Sequence, residues 1–451
     1  MRVVLCLLSF RLPRAQRRIF LRQFGLLQRL WCVRQGLPGK SNYACKGRGL
    51  GMESKEGRQV MVLEGNLAAA YGVLLSKPDV ISCFPITPQS SLGEALSRFV
   101  ADGLLDAEMI EPEGENSALS LLIGASVAGG RTFTSTSSQG LSFMYDAYLF
   151  TAGSRLPIVM AIAMREQVAP HGVIAGQQDA ILVKDGGWIQ FYAESCQEIL
   201  DSIIMAYRLA EDPEILLPVN ICYEGFYLSY QSQRVEILRQ DEVDRFLAPV
   251  AKSERPRLCL ENPMVFSSYT IPGELYTEYR YKHCAALQRA REKCDEIDRE
   301  FESISGYGYG GQIEEYKTED AEVVIVTMGS GTGTAKGVID TKRDEGLKVG
   351  LIKIRMFRPF PEERLLQVLN RKKAIGVIDR NVFYAGFCGH VFFEMKSLLS
   401  ELEQPIPVLL NFVAGLGGSD ITPQSVERVI DTTYSALDGK TVKPVTWLSL
   451  E

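Results

Sequence analysis

Residues 117–164 read SALSLLIGASVAGGRTFTSTSSQGLSFMYDAYLFTAGSRLPIVMAIAM, and their pattern indicates the fold class. Ser117–Ala128 is a run of small and apolar residues that predicts a helix. Thr132–Ser135 and Pro157–Met164 are short runs of the kind that form buried strands. Because helix and strand alternate, the sequence predicts an α/β fold with a largely parallel sheet and helices on both faces.

The same alternation continues on both sides of this stretch. Before and after it, buried strands are predicted at Val80–Phe84 and Ile215–Cys222, and helices at Asn66–Leu75 and Gln197–Ala210. A second series of apolar runs predicts strands at Val323–Met328, Val349–Ile354, Ala374–Ile378 and Val408–Phe412.

We therefore predict two α/β domains, at residues 58–245 and 320–440. The connector between them, residues 246–319, begins with a proline-containing segment and continues in a charged helix over 276–303. It ends in the glycine-rich sequence SGYGYGGQ (305–312), which predicts a flexible loop. A chain of 451 residues is long enough for each domain to bury a full core.

Charge is distributed unevenly along the chain. The net charge is −6, but residues 1–51 contain 11 Lys+Arg and no acid, which leaves 38 Lys+Arg against 55 Asp+Glu in the rest. The basic segment resembles an acid-free targeting peptide, or it precedes a true start at Met52, which is our hypothesis. The remaining 400 residues, at a net charge of −17, are too acidic for a general nucleic-acid binder. No apolar run is long enough to predict a membrane span.

Cysteine usage predicts a cytoplasmic protein without a metal site of its own. The ten cysteines form no C-x-x-C pair and no zinc or iron–sulfur spacing, and only three histidines occur. We interpret most of the cysteines as buried free thiols, which persist in a reducing compartment.

Two motifs of the first domain follow predicted strands. FPITPQSS (84–91) places the Thr87 hydroxyl beyond a strand end, where ligands of α/β sheets bind, although a proline-stiffened turn that caps a helix explains it as well. EPEGENSA (111–118) places Glu115 at the start of a small-residue helix, where it is expected to be buried. A buried carboxylate can share a proton with a ligand nitrogen.

Three further strand ends carry polar residues. TSTSSQG (134–140), with Ser138 and Gln139, is able to supply hydroxyl and backbone donors to a ligand, or is simply a polar loop. Arg165 is able to clamp a carboxylate or to pair with Glu166. MGSGTGT (328–334) resembles a phosphate loop but lacks the third glycine of the dinucleotide motif, so we interpret it as a tight strand–helix turn. Without an acidic ribose partner, a nucleotide-dependent dehydrogenase is excluded.

Taken together, the motifs resemble the alpha subunit of 2-oxoacid:ferredoxin oxidoreductases, of the pyruvate:ferredoxin oxidoreductase type. The similarity covers residues 58–435 in order. It rests on FPITPQSS, EGENSA, TSTSSQGLSFMYD, DGGWIQFYAESCQEILD and LLPVNICYEGF in the first domain, and on AEVVIVTMGSGTGTAKGVID, IRMFRPFP and VAGLGGSDIT in the second. The resemblance implies a pyrimidine-type, thiamine-diphosphate-binding parallel-sheet domain followed by a transketolase C-terminal-like α/β domain.

The resemblance also implies roles for individual residues. Glu115 matches the glutamate that hydrogen-bonds the thiamine pyrimidine and promotes activation of the cofactor. Ser138 and Gln139 are predicted to bind the cofactor with it. Thr87 and Arg165 match residues that hold the substrate carboxylate.

Partners follow from the same resemblance. A beta subunit is expected to hold the diphosphate and Mg²⁺, because this sequence has no GDG…N motif. Iron–sulfur clusters are expected only in partner subunits, with gamma and ferredoxin-like delta subunits or their equivalents completing the enzyme. Ferredoxin and coenzyme A are the expected reaction partners of a 2-oxo acid, most simply pyruvate, and the chain is predicted to be inactive alone.

Departures from the family pattern concern the substrate pocket. Phe84, Gln89 and Asn116 stand where the family often has Tyr, Ser and His, and of a usual GDHSD segment only Asp179 is kept. His171 has no assigned counterpart and is interpreted as a loop residue. Branched, aryl or dicarboxylic 2-oxo acids therefore stay open as substrates. A transketolase-like thiamine enzyme and a non-catalytic interaction protein are the rival classes.

Overall fold

The computed structural model describes residues 57–167, 169–248, 250, 256–261, 263, 273–401 and 405–450. The basic segment 1–51, the hypothesised start at Met52 and part of the predicted connector therefore lie outside the described residues. Within the described ranges, no helix is both long and apolar enough to cross a membrane.

Strands and helices alternate along most of the described chain. The strands are β1 (Gln59–Glu64), β2 (Val80–Ser82), β3 (Glu108–Ile110), β4 (Thr132–Thr136), β5 (Val159–Met164), β6 (Ile189–Tyr192), β7 (Val219–Glu224), β8 (Ser232–Ile237), β9 (Ile313–Tyr316), β10 (Val323–Thr327), β11 (Val349–Ile354), β12 (Met356–Arg358), β13 (Ala374–Asp379), β14 (Val408–Val413) and β15 (Val445–Trp447). The α-helices are α1 (Gly65–Ser76), α2 (Ser90–Ala101), α3 (Glu115–Val127), α4 (Ser138–Phe143), α5 (Tyr145–Gly153), α6 (Gln178–Leu182), α7 (Cys196–Ala210), α8 (Gln240–Leu247), α9 (Gly273–Ser305), α10 (Gly331–Asp344), α11 (Glu362–Leu369), α12 (His390–Leu398) and α13 (Pro423–Leu437).

The first sheet has seven strands in the order β12-β6-β7-β5-β4-β2-β3. All neighbours are parallel except β12, which runs antiparallel to β6. The predicted parallel sheet is thus confirmed. β7 begins at Val219, later than the predicted Ile215, because Leu216 adopts a positive φ of 47° and Pro218 has no N–H to donate to a neighbouring strand. A separate antiparallel pair joins β1 to β8.

Helices cover both faces of the first sheet, as alternate residues of β5 demonstrate. Val159 and Ala161 point into a core shared with α1, α2 and α7. Met160 and Ile162 point to the opposite face, into a core shared with α3 and α5. Because both faces are buried, each residue of the strand is apolar and the strand carries no alternating pattern.

The second sheet has the order β15-β14-β13-β10-β11-β9 and is parallel except for β9. It begins at Ile313, inside the predicted connector, and reaches Trp447, beyond the predicted boundary at residue 440. Val324 and Val326 of β10 pack into the same core as Met160. Since β12 also pairs with the first sheet, the two predicted domains share both a core and a sheet.

A buried network of charges joins the two sheets. Lys353 is fully buried, and its Nζ lies 2.6 Å from Oε2 of Glu198 at the start of α7. Arg355 donates to the other oxygen of Glu198 at 3.0 Å, and its guanidinium lies between the rings of Phe191 and Tyr309. Buried charges are tolerated only when paired in this way.

The glycine-rich sequence 305–312 follows α9, which spans Gly273–Ser305 and confirms the predicted charged helix. The sequence was expected to be flexible, but side chains of α9 hold it in place. Asp298 accepts a hydrogen bond from the Tyr309 N–H at 3.0 Å, and Asp295 accepts one from the Gln312 N–H at 3.0 Å. The glycines are needed because Gly311, at φ +68°, lies directly against the Asp295 carboxylate.

Seven of the ten cysteines lie among the described residues, and all seven are free thiols. Five are buried, as predicted for most of the cysteines, whereas Cys259 is partly exposed and Cys284 is exposed. Burial raises the pKa of the Cys83 thiol to about 11, so this thiol stays protonated and unreactive at neutral pH.

Candidate active site

Loops from four parallel strands meet at the carboxyl edge of the first sheet. The loop after β2 carries Thr87, whose side chain is exposed. Asn66 fixes this loop by donating to the Pro88 carbonyl at 2.7 Å, and Tyr223 of β7 orients Asn66 through a 2.9 Å bond. Gly225, after β7, allows a close approach, since a Cβ there would lie 2.5 Å from Pro88 Cγ. Thr87 is thus held on a rigid loop at this edge.

Glu115 begins α3 and is nearly buried, with 9% of its surface exposed. Its carboxylate faces the turn after β4. A Cβ at Gly140 would lie 2.7 Å from Glu115 Oε1, and it would also collide with the Thr136 hydroxyl. Only a glycine therefore leaves room for this carboxylate and this hydroxyl to share one small space.

Several buried polar atoms around this space have no hydrogen-bond partner among the described residues. They include the hydroxyls of Thr136 and Ser137 and the Nε of Arg165. Buried polar groups in proteins are normally paired, and each orphaned group costs roughly 1–3 kcal/mol. This concentration of orphaned groups at a strand edge is typical of a site that a polar ligand completes.

Asp179 ties two of the loops together. One of its oxygens accepts hydrogen bonds from the N–H groups of Ser138, at 2.9 Å, and Arg165, at 3.0 Å. The other accepts from the Ala180 N–H at 2.8 Å. Burial raises the pKa of Asp179 to about 7, although these three donors oppose the shift. Sequence reasoning noted Asp179 only as the kept residue of a family segment and did not identify this role.

Arg165 lies at the end of β5, with 5% of its surface exposed. Its Nη2 donates to Oε1 of Gln139, so Arg165, Ser138 and Gln139 are brought together. Burial lowers the pKa of Arg165, and Asp179 partly offsets this. The alternative pairing with Glu166 does not form, because the Glu166 carboxylate instead accepts from the Gly417 N–H at 2.9 Å.

Gln89 directly precedes α2. It is fully buried, and its Nε2 donates to Ser135 Oγ. Together with Cys83 and Glu111 it lines a cavity of about 370 Å³ beside α2. Asn116 donates to the Phe143 carbonyl at 3.4 Å. No hydrogen bond within the described residues links either side chain to Arg165.

The glycine turn at 328–334 is the predicted tight strand–helix turn. Two of its backbone groups are bonded to side chains of the first domain. The Met328 carbonyl accepts from Gln177 Nε2 at 3.0 Å, and the Ser330 N–H donates to Glu224 at 3.1 Å. Gly329, at φ +80°, is required because a Cβ would collide with the Glu224 carboxylate. The turn therefore joins the two sheets.

Comparisons with known proteins agree with these features. Residues 71–299 match the family model described as pyruvate flavodoxin/ferredoxin oxidoreductase, thiamine diphosphate-binding, and residues 321–426 match pyruvate:ferredoxin oxidoreductase core domain II. The chain is 42% identical over 399 residues to the alpha subunit of an NADH-dependent phenylglyoxylate dehydrogenase from Aromatoleum evansii, covering 87% of this chain and 95% of that one.

Two further similarities extend the range of relatives. The chain is 43% identical over 391 residues to the pyruvate synthase subunit PorA of Pyrococcus abyssi, covering 86% of this chain and 98% of that one. Among solved structures, it resembles a 2-oxoglutarate:ferredoxin oxidoreductase from Magnetococcus marinus, with a TM-score of 0.65 and 18% identity over 84% of this chain and 66% of that one. This structural likeness supports the fold.

Proposed function

The chain belongs to the family of 2-oxoacid:ferredoxin oxidoreductase alpha subunits, and on this premise we propose that it is the alpha subunit of an enzyme that oxidatively decarboxylates pyruvate. The products are acyl-coenzyme A and CO₂, and the electrons pass to ferredoxin. A different 2-oxo acid is the second candidate, because a 42% identical relative is named for phenylglyoxylate and a 39% identical one for ketoisovalerate.

The observation that carries the proposal is the buried Glu115 carboxylate, which packs against Gly140 and the Thr136 hydroxyl at the edge of the first sheet. A shielded carboxylate beside buried hydroxyls that have no partner among the described residues suits the polar edge of the thiamine diphosphate pyrimidine. When bound, this cofactor supplies a carbon nucleophile and an electron sink for decarboxylation. Glu115 is the group that would hold a proton at a ring nitrogen, since it is shielded from water. Ser138 and Gln139 would contact the same ring.

Arg165 and Thr87 are proposed to bind the substrate carboxylate. The Nη2 of the Arg165 guanidinium donates to Gln139, whereas its buried Nε has no partner among the described residues. The guanidinium therefore retains a donor for an anion. Thr87 adds a hydroxyl from the neighbouring loop. A charge and a donor on two rigid loops are able to orient the keto carbon toward the cofactor.

The proposed enzyme has several subunits. A beta subunit holds the diphosphate and Mg²⁺. Gamma and ferredoxin-like delta subunits, or their equivalents, complete the enzyme, and all iron–sulfur clusters lie in partner subunits. In this arrangement residues 58–245 form the pyrimidine-binding domain and residues 320–440 the transketolase C-terminal-like domain. We place the complex in the cytoplasm.

The test is anaerobic purification of the native complex and an assay with a panel of 2-oxo acids, coenzyme A, thiamine diphosphate and a viologen dye. Dye reduction with pyruvate supports the proposed substrate. Reduction only with a branched, aryl or dicarboxylic acid supports the second candidate. No reduction by any acid, with thiamine bound and clusters intact, overturns the proposal in favour of a transketolase-like or non-catalytic protein.

A further inference from the structure

His171 lies on the exposed loop that follows β5, six positions after Arg165. Both residues reach the same partner. The His171 Nδ1 lies 3.0 Å from the Nε2 of Gln139, and the Arg165 Nη2 donates to the Oε1 of Gln139. The Gln139 amide therefore stands between the imidazole and the guanidinium.

The two ends of this amide are not equivalent. A guanidinium only donates hydrogen bonds, so the oxygen of Gln139 must face Arg165. Its NH₂ group then faces His171 and donates. Nδ1 is consequently the acceptor, and the neutral imidazole carries its proton on Nε2.

We propose that His171 is a positioning residue for the substrate carboxylate. It fixes the orientation of the Gln139 amide, and the amide fixes the guanidinium of Arg165. The inference rests on the proposed function, in which Arg165 binds the carboxylate of a 2-oxo acid.

The orientation of the Gln139 amide depends on a side-chain contact. The backbone on both sides is already held, since Asp179 accepts from the N–H groups of Ser138 and Arg165. The Gln139 side chain is long, and ordering it costs conformational entropy. Without an acceptor at position 171, the amide is free to rotate, and the Arg165 guanidinium loses its one hydrogen-bond acceptor among the described side chains.

The test uses the assembled complex and the 2-oxo acid that the panel identifies. His171→Leu removes the acceptor and is expected to raise the KM for the 2-oxo acid about fivefold, the effect of one ordinary hydrogen bond. The kcat and the KM for coenzyme A are expected to stay within about twofold of their original values. His171→Asn keeps an acceptor oxygen near the Nδ1 position and should restore the KM. Val173→Ala, on the same exposed loop, is the control for loop truncation.

A double-mutant cycle separates positioning from a general structural effect. In a Gln139→Leu background, His171→Leu should cause no further rise in KM, because its effect passes through the amide. An unchanged KM in His171→Leu, a failure of His171→Asn to restore it, or additive effects in the cycle would each overturn the inference. Arg165→Gln tests the premise. If this variant leaves the KM unchanged, the proposed carboxylate site itself is wrong. If it raises the KM strongly, a negative result with the His171 variants refutes only the role of His171.

Discussion

Two turns at strand ends, one in each sheet, carry similar residues but have opposite surroundings. The turn after β4, residues 136–140, is TSSQG, and the turn after β10, residues 328–331, is MGSG. In the first, the Thr136 and Ser137 hydroxyls are buried and have no hydrogen-bond partner in the part of the chain that the structure describes. In the second, the Ser330 N–H and the Met328 carbonyl are bonded to Glu224 and Gln177.

This difference explains why residue composition alone does not identify a ligand-binding turn. Small and hydroxyl residues are needed wherever a strand turns tightly into a helix, whether or not a ligand binds there. What distinguishes the turns is whether the chain itself completes their polar groups. A turn with all its groups paired contributes to stability, whereas a turn that buries orphaned groups needs a ligand to offset their cost.

The largest effect is expected at the first turn, where Glu115 faces Gly140. Replacing Glu115 by Ala should lower kcat by about 10²–10⁴-fold, because a positioned acid–base group is lost. The complex should still assemble. Activity and bound thiamine are measured together on the purified complex, and Glu113→Ala, an exposed carboxylate two positions earlier, is the control. Full activity in Glu115→Ala would refute the proposed role of Glu115 and would remove the functional difference between the two turns.

Gly140→Ala tests whether the packing of the Glu115 carboxylate against this turn matters for the cofactor. The added Cβ would lie 2.7 Å from Glu115 Oε1, so the cofactor should bind at least about tenfold more weakly, which corresponds to about 1.4 kcal/mol. Thiamine titration of the cofactor-depleted complex measures this. Gly124→Ala, within α3, has no atom within 4 Å of its added Cβ, and should leave affinity unchanged. Equal affinities in both variants would mean that the position of the Glu115 carboxylate does not contribute to cofactor binding.

Gly329→Ala makes the same substitution at the second turn, where we expect stability to fall and activity to stay the same. The new Cβ would collide with Glu224, and φ is +80°, so stability should fall by about 1–3 kcal/mol. Activity per assembled complex should be unchanged. Thermal midpoints provide the measurement, and Gly333→Ala, whose Cβ meets nothing within 4 Å, is the neutral control. A loss of activity at full stability would make this turn part of the site.

The fold could be predicted from the sequence wherever a strand is buried on both faces. β5 is a continuous apolar run, β11 and β13 are apolar except for Lys353 and Asp379, and the predicted strands fall on all three. By contrast, β3, β12 and β15 have three residues each. Strands this short carry no periodicity and are defined by pairing with distant segments, which the local sequence does not encode.

The residues of the candidate site differ in the same way in whether the sequence predicts them. Glu115 and Arg165 could be found because a carboxylate before a small-residue helix and a cation after an apolar strand are local signals. The role of Asp179 depends on two loops meeting at its carboxylate, and that of Glu224 on the approach of Ser330, 106 positions away. Contacts between distant segments have no local sequence signal, so these two residues emerged only from the structure.

The smallest expected effect is on the pH dependence of stability, and it arises from two buried carboxyl groups. Asp179 serves the loops of the candidate site, and Asp201 accepts from Tyr309 at 2.5 Å between the sheets. Burial raises the pKa of each to about 7 from an ordinary 3.8. The folded state therefore keeps these protons to higher pH than the unfolded state does. Their contribution to stability is complete below about pH 4 and is lost as the pH rises toward about 7.

Asp201→Asn should consequently flatten the pH dependence of stability. The gap between the thermal midpoints at pH 5 and pH 8 should shrink by about 2–4 °C, and the KM for the 2-oxo acid should not change. Asp179→Asn should flatten the same dependence but also raise that KM, because an amide cannot accept from all three N–H groups that bond the carboxylate. If both variants leave the KM unchanged, Asp179 has only a structural role. Glu115 and its turn would then be the features that distinguish the candidate site from the contacts between the sheets.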